Sequence, residues 1–216
     1  MRIYCTFHPS SVLEGGFHLE NYIREDFVRL ARKQLRSPSN KLPRAGTRII
    51  GWDTEYSPTG KLLTIGLADT SRAAAIETNT DGWLKRITPI VKRARIIVGH
   101  SVEGDLDYLV RLKLAKESWL RGIDVQDSFL LARMVDENRG KGGYALEPLL
   151  LSEFNFAPWK HATAELLKKT GDASDWSVAQ RTGRCRIDAW ATRRLAENYF
   201  QRVTEQTKAV WKERLR

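Results

Sequence analysis

Two acidic residues one position apart stand at the end of an apolar stretch near residue 50. The segment 48–58 reads RIIGWDTEYSP, and its apolar residues lead directly into Asp53 and Glu55. Side chains alternate between the two faces of a strand, so Asp53 and Glu55 are predicted to share one face. Two like charges at this spacing repel each other unless water or a cation separates them. The pair is therefore either a solvated strand end or part of a divalent metal site.

Two further acids stand where their side chains could join this pair. Asp105 lies in a predicted helix, 101–114, that follows an apolar strand, and Asp188 lies near the start of the predicted final helix. Each has a purely structural interpretation: Asp105 suits the dipole of a first helical turn, and Asp188 could pair with Arg184. Four carboxylates together would suit hard cations such as Mg²⁺ or Mn²⁺.

Composition restricts the classes of partner. The 216 residues carry 36 Lys and Arg against 26 Asp and Glu, a net charge of +10, which favours a polyanionic partner such as nucleic acid. We expect no membrane partner, because no apolar run approaches the roughly 20 residues of a membrane span and no signal peptide is evident. Cys5 and Cys185 are the only cysteines. They indicate a reducing, intracellular compartment such as the cytoplasm or nucleoid, and they are too few for a common cysteine zinc site.

The chain divides near residues 37–46, whose prolines, serines and glycine are typical of a linker. Before it, residues 18–36 have apolar side chains at helical spacing and a basic opposite face. We therefore predict an N-terminal extension, 1–46, and a main domain, 47–216. The helix of the extension is expected to pack on the main domain, and its basic face could add a nucleic-acid contact.

The main domain alternates between strand and helix patterns. Strands are predicted at 48–53, 61–69, 73–78, 95–100 and 122–125, and helices at 81–94, 101–114, 127–138 and 185–216. Three antiparallel strands followed by strand–helix alternation predict an α/β fold of the RNase H-like kind, a mixed five-stranded sheet flanked by helices.

The order of the motifs carries a resemblance. The segments IIGWDTEYSPTGKLLTIGLAD, IIVGHSVEGDLDYL, DVQDSFLLARMVDEN, GYALEPLL and RCRIDAWATRRLAENYF occur in this order. Over residues 47–204 the chain resembles the DEDD-superfamily 3′→5′ exonucleases, especially the proofreading domain of family A DNA polymerases and the ribonuclease D group. Asp53 and Glu55 match the first motif, Asp105 the second and Asp188 the third.

The resemblance implies an activity and partners. Two Mg²⁺ or Mn²⁺ ions about 4 Å apart would activate water and stabilise the leaving 3′ oxygen, releasing nucleoside 5′-monophosphates. In the family, the counterpart of Asp53 bridges both ions. Those of Glu55 and Asp188 help to hold the ion that activates water, and that of Asp105 acts on the other ion. The implied substrate is single-stranded or 3′-end nucleic acid, with DNA favoured over RNA, and a separate polymerase is an implied partner.

The chain departs from the family at the residue that orients the attacking water. Arg184 occupies the position of the tyrosine of one subgroup, and Gly183 that of the histidine of the other. His161 and Tyr144 are the candidates for a substitute, although each is more typical of an ordinary surface or packing residue. Arg184 is either a phosphate ligand or a solvated arginine left after activity was lost, and Thr54 is a second candidate substrate-binding residue. The alternative function is therefore a catalytically weakened nucleic-acid-binding module or a subunit of a split polymerase.

Other conspicuous side chains have structural interpretations. Ser101 replaces the asparagine of the family's Gly-His-Asn motif, and Gly104 replaces an aromatic residue before the second-motif acid. Structural roles are predicted for four further residues: His100 in hydrogen bonding, Asp127 as a helix N-cap, Trp52 in the core, and Asp107 on a helical face away from Asp105.

Overall fold

A computed structural model describes residues 37–122, 124–139, 142–156, 159–160 and 172–214, with side chains described as far as residue 205. The predicted helix at 18–36 and the candidate His161 lie outside these residues.

The described strands form one six-stranded mixed sheet in the order β1-β4-β3-β2-β5-β6. The strands are β1 (Ser39–Asn40), β2 (Ile49–Tyr56), β3 (Leu62–Ala68), β4 (Arg72–Glu77), β5 (Ile96–Gly99) and β6 (Val125–Asp127). Strands β2, β3 and β4 form an antiparallel meander, and β5 and β6 continue the sheet parallel to β2. The predicted α/β class and mixed sheet are confirmed, and the order is compatible with an RNase H-like fold.

Strand β1, which is additional to the five predicted strands, lies within the predicted linker. Ser39 and Asn40 pair in parallel with Arg72 and Ala73 at the edge of β4. A strand of two residues leaves no alternating pattern in the sequence, because its pairing depends on a neighbour more than 30 positions away in the chain.

Helices cover both faces of the sheet. They are α1 (Trp83–Arg93), α2 (Glu103–Arg111), α3 (Glu117–Leu120), α4 (Ser128–Val135), α5 (Leu146–Phe154) and α6 (Val178–Arg214). Among these helices, none combines the length and the apolar character that crossing a membrane requires.

The final helix begins earlier than its apolar pattern predicts. Helix α6 starts at Val178 rather than at residue 185. Ser177 Oγ accepts from the Gln180 N–H (3.2 Å), and Gln180 Oε1 accepts from the Ser177 N–H (2.9 Å), a reciprocal capping box. This start places both Arg184 and Asp188 well inside the helix.

Strand β2 separates two apolar layers. Ile50 and Trp52 are fully buried and pack with residues of α1, α2 and α3, such as Ile87 and Leu109. This confirms the prediction that Trp52 belongs to the core. A second apolar layer, which includes Leu149 of α5 and Trp190 of α6, covers the other face of the sheet. Gly51 and Asp53 alternate with Ile50 and Trp52, so they face α6.

The backbone of α6 touches the sheet at two glycines. A Cβ atom on Gly51 would lie 2.0 Å from the Ala189 carbonyl oxygen, and one on Gly66 would lie 2.4 Å from the Cys185 carbonyl oxygen. Gly66 is the neighbour of Asp53 across the β2–β3 pair. The two glycines therefore allow α6 to lie directly beside the strand that carries the first acids.

A buried ion pair anchors the start of α6. Arg181 Nη2 lies 2.8 Å from Glu77 Oε2 on β4, and the Thr64 hydroxyl donates to Glu77 Oε1 (2.6 Å). The side chains of Arg181 and Glu77 are only 10% and 8% exposed. A buried charge that loses its partner is costly, so this pair holds α6 in one rotation about its axis.

We predict that Gly51→Ala lowers the free energy of unfolding by about 3 kcal/mol or more, because the new methyl group meets a helix backbone that cannot move alone. Gly104→Ala is the matched control, since a Cβ there has no atom within 4 Å and alanine favours the helix. Denaturant unfolding measures both. Equal stability of the two variants would contradict the close contact between α6 and β2.

Candidate metal centre

Strand β2 carries the first two acids within its length. It runs through Tyr56, so Glu55 as well as Asp53 lies inside the strand, which extends three residues beyond its predicted end at residue 53. Pairing with β3 extends β2, with Asp53 opposite Gly66 and Glu55 opposite Thr64. Both acids face α6 because they alternate with the core residues.

Helix α6 adds Asp188 to the pair. Carboxylate oxygens of Asp53, Glu55 and Asp188 all lie within 4.8 Å of one another. Asp188 is only 4% exposed. Asp53 Oδ2 is buried and has no hydrogen-bond partner within the part of the chain that the structure describes. A buried carboxylate oxygen without a donor is costly, and a divalent cation would satisfy it. The donor set and the unsatisfied oxygen therefore fit a hard cation.

Asp105, the fourth predicted acid, lies beside this trio and makes a different contact. It lies in the first turn of α2, and its Oδ1 accepts a short hydrogen bond from the Thr54 hydroxyl. Thr54 itself is only 7% exposed. The described contact of Thr54 is therefore with Asp105, which it positions, and its predicted contact with substrate stays a prediction.

The acids resist carrying their full negative charge together. Burial, and then repulsion from Asp188 and Asp105, raises the pKa of Asp53 well above its ordinary value. Burial raises the pKa of Glu55 to about 7, against the opposing effect of Arg184. Burial likewise raises the pKa of Asp105 to about 7, against the effect of its hydrogen bond from Thr54. Without a cation, the site therefore retains protons close to neutral pH.

A loop before the final helix supplies two donors to Asp188. Lys160 Nζ lies 2.7 Å from Asp188 Oδ2, and Trp159 Nε1 donates to Asp188 Oδ1 at 2.7 Å. Glu147 of α5 holds this loop, because its Oε1 accepts from the backbone N–H groups of Trp159 and Lys160, both at 2.6 Å. None of these three residues is among the predicted site residues. The sequence carries one signal for them, because an aromatic residue and a cation, Trp159 and Lys160, stand next to each other outside the motifs that carry the resemblance.

Arg184 lies among the carboxylates. Its Nε lies 3.2 Å from Glu55 Oε1 and 3.6 Å from Asp188 Oδ2, and its guanidinium lies 4.8 Å from the centre of the Trp176 ring. The predicted pairing of Arg184 with Asp188 is confirmed. The interpretation of Arg184 as a solvated arginine is wrong, because the side chain is paired and only 18% exposed.

The structural interpretations of two other side chains near the site are confirmed. His100 Nδ1 lies 2.9 Å from the Ser128 hydroxyl. Asp127 caps α4 by accepting from the Phe129 N–H (2.8 Å), and its other bonds, from the N–H groups of Ser101 and Val102, hold the turn before α2.

Two more predicted residues lie in contacts apart from the carboxylates. Asp107 forms a surface ion pair with Arg111 at 2.6 Å, as expected of a residue on another helical face. The Tyr144 hydroxyl donates to the Asp136 carbonyl (2.8 Å) and accepts from the Arg139 N–H (3.3 Å). These bonds fit a packing role for Tyr144 rather than that of a group that orients water.

We predict that Ser101→Asn raises the free energy of unfolding by up to about 1 kcal/mol. Ser101 has a φ of 54°, in the left-handed region that asparagine tolerates better than serine. Ser71→Asn is the control, because Ser71 is an exposed serine outside the positive-φ residues of the described chain. Thermal unfolding measures both. An unchanged or lower Tm for Ser101→Asn, relative to the wild type, would contradict the proposed strain.

We predict that the metal-free protein loses stability as pH rises from 4.5 to 7, the window set by the raised pKa of Glu55. In this window the folded state binds more protons than the unfolded state, so the free energy of unfolding falls with increasing pH. Over this window the free energy of unfolding of Glu55→Gln should fall by about 2 kcal/mol less than that of the wild type. Chemical denaturation in EDTA at several pH values measures the slope, and an identical slope in the variant would contradict the assignment.

Scans of the sequence against protein-family models and against curated proteins found no match. The geometry of the acids and the order of the motifs that contain them are therefore the indications of function.

Proposed function

We propose that this protein is a metal-dependent 3′→5′ exonuclease that hydrolyses phosphodiester bonds at the 3′ end of DNA, or of RNA, and releases nucleoside 5′-monophosphates. The observation that carries this proposal is the convergence of Asp53, Glu55 and Asp188 around the buried, unsatisfied Asp53 Oδ2. Their order along the chain, with Asp105 between them, is also that of the exonucleases the sequence resembles.

The acids would hold Mg²⁺ or Mn²⁺, since both ions favour carboxylate oxygens. A cation bound there would supply Lewis acidity at the scissile phosphate and lower the pKa of the attacking water. Asp53, Glu55 and Asp188 would provide its ligands, and the Thr54 hydroxyl holds the Asp105 carboxylate beside β2.

The net positive charge of the chain favours a polyanionic substrate. Lys160 and Arg184 lie beside the carboxylates, and the whole chain carries a net charge of +10. Arg184 remains a proposed phosphate ligand. DNA is favoured over RNA, and a separate polymerase is proposed as a partner, because the resemblance includes polymerase proofreading domains.

A specific observation favours a second candidate, a catalytically weakened module that binds nucleic acid. The two positions that orient water in the family hold Arg184 and Gly183, and neither can accept a proton at accessible pH. Such a module would bind 3′ ends and would not cleave them.

The test is digestion of 5′-labelled DNA and RNA strands with Mg²⁺, with Mn²⁺ and with EDTA. We expect a ladder of products shortened by one nucleotide at a time from the 3′ end, present with either metal and absent in EDTA. Binding of the strands without any shortening would support the weakened module instead. Digestion that persists in EDTA would contradict a metal-dependent enzyme.

We predict that Asp53→Ala slows hydrolysis on the order of 10³-fold or more, because a lost ligand removes several kcal/mol of transition-state stabilisation. The metal-free Tm should hold or rise, since one source of repulsion is removed. Asp107→Ala is the matched control, an aspartate two positions past Asp105 with a surface ion pair. Its hydrolysis rate should equal that of the wild type, and a wild-type rate in Asp53→Ala would contradict the site.

A further inference from the structure

We infer that this centre binds one divalent ion where the resembled enzymes bind two, and that Lys160 and Arg184 supply the positive charge of the second ion. The inference rests on the proposed function and specifies the metal content of the same site. It concerns the two side-chain cations, which are already in contact with the carboxylates.

The charges near the site balance with a single ion. Asp53, Glu55, Asp105 and Asp188 carry four negative charges when all are ionised. Lys160 and Arg184 carry two positive charges and contact the acids directly, at 2.7 Å from Asp188 and 3.2 Å from Glu55. The two negative charges that remain are those that one divalent ion neutralises.

Lys160 is held in place from both ends. Its backbone N–H donates to Glu147 Oε1, and its side chain, 21% exposed, ends at Asp188. The backbone N–H of the preceding Trp159 donates to the same Glu147 oxygen, and its indole N–H donates to the other Asp188 oxygen. An arriving ion would therefore have to break a connected set of bonds in order to displace the ammonium group.

Arg184 is also restrained. Its guanidinium lies over the Trp176 ring and contacts two carboxylates, Glu55 and Asp188. Helix α6 carries it on the same face as Asp188, four positions earlier. Arginine also keeps its charge at every accessible pH, so its contribution to the site is constant.

The carboxylate oxygen without a donor belongs to Asp53. Both Asp188 oxygens already accept from the loop, whereas Asp53 Oδ2 has no partner among the described residues. One ion held by Asp53, Glu55 and Asp188 would satisfy that oxygen. A second ion beside Asp188 would stand close to the Lys160 ammonium, and the two positive charges would repel each other.

The test counts Mn²⁺ ions bound to the whole chain, without nucleic acid, by electron paramagnetic resonance of the free ion. The count is taken at the Mn²⁺ concentration at which hydrolysis by the wild type reaches its plateau. We expect one ion per wild-type chain and two per chain in Lys160→Met/Arg184→Met, with Kd for the second ion at least tenfold lower than in the wild type.

Two control variants and a folding check accompany this count of bound ions. Lys160→Arg/Arg184→Lys keeps both charges and should bind one ion. Arg121→Met removes an exposed cation that is paired with Glu117 away from the acids, and it should also bind one ion. Circular dichroism checks folding, and if the double Met variant does not fold, Lys160→Met alone should still show the lower Kd for a second ion.

Two ions bound to the wild type, or a second-ion Kd that the Met variants leave unchanged, would overturn the inference. In both cases metal-dependent hydrolysis by the wild type would leave the proposed function intact. A wild type that neither binds Mn²⁺ nor shortens nucleic acid would overturn the proposed function, and this inference with it.

Discussion

Direct contact between the backbone of α6 and the backbones of β2 and β3 is the constraint on which the site depends. Gly51 and Gly66 leave no side chain between them and the carbonyl groups of Ala189 and Cys185. Asp188 immediately precedes Ala189, so the same contact sets its carboxylate at the depth of Asp53. Larger residues at the glycines would lift the helix away and separate the acids of the two elements.

The site opposes its own stability in the absence of a cation. Burial and mutual repulsion raise the pKa of Asp53 and of Glu55, so ionising them costs free energy of folding. Lys160 and Arg184 offset part of this cost, and Glu147 keeps Lys160 within reach. Burial of the apolar layers on both faces of the sheet offsets the free-energy cost of such a cluster.

Much of the fold could be predicted because its signals are local. Strand alternation identified β2, β3 and β4 to within a few residues, and it placed Trp52 in the core and Asp53 on the opposite face. Asp127 was recognisable as an N-cap because a cap depends only on the residues next to it. The apolar pattern alone places the start of α6 too late, because the helix begins at the Ser177–Gln180 capping box, which is polar.

The identity and order of the acids were readable in the chain, because a resemblance and an alternating pattern need no contact between distant residues. Their arrangement was not: the carboxylates of Asp53, Glu55 and Asp188 meet, whereas Asp105 binds Thr54. The position of Lys160 was equally unreadable, since a loop lysine reaches whichever acid its anchors allow. Such contacts join residues that are far apart in sequence, and they exist only once a helix has packed against the sheet.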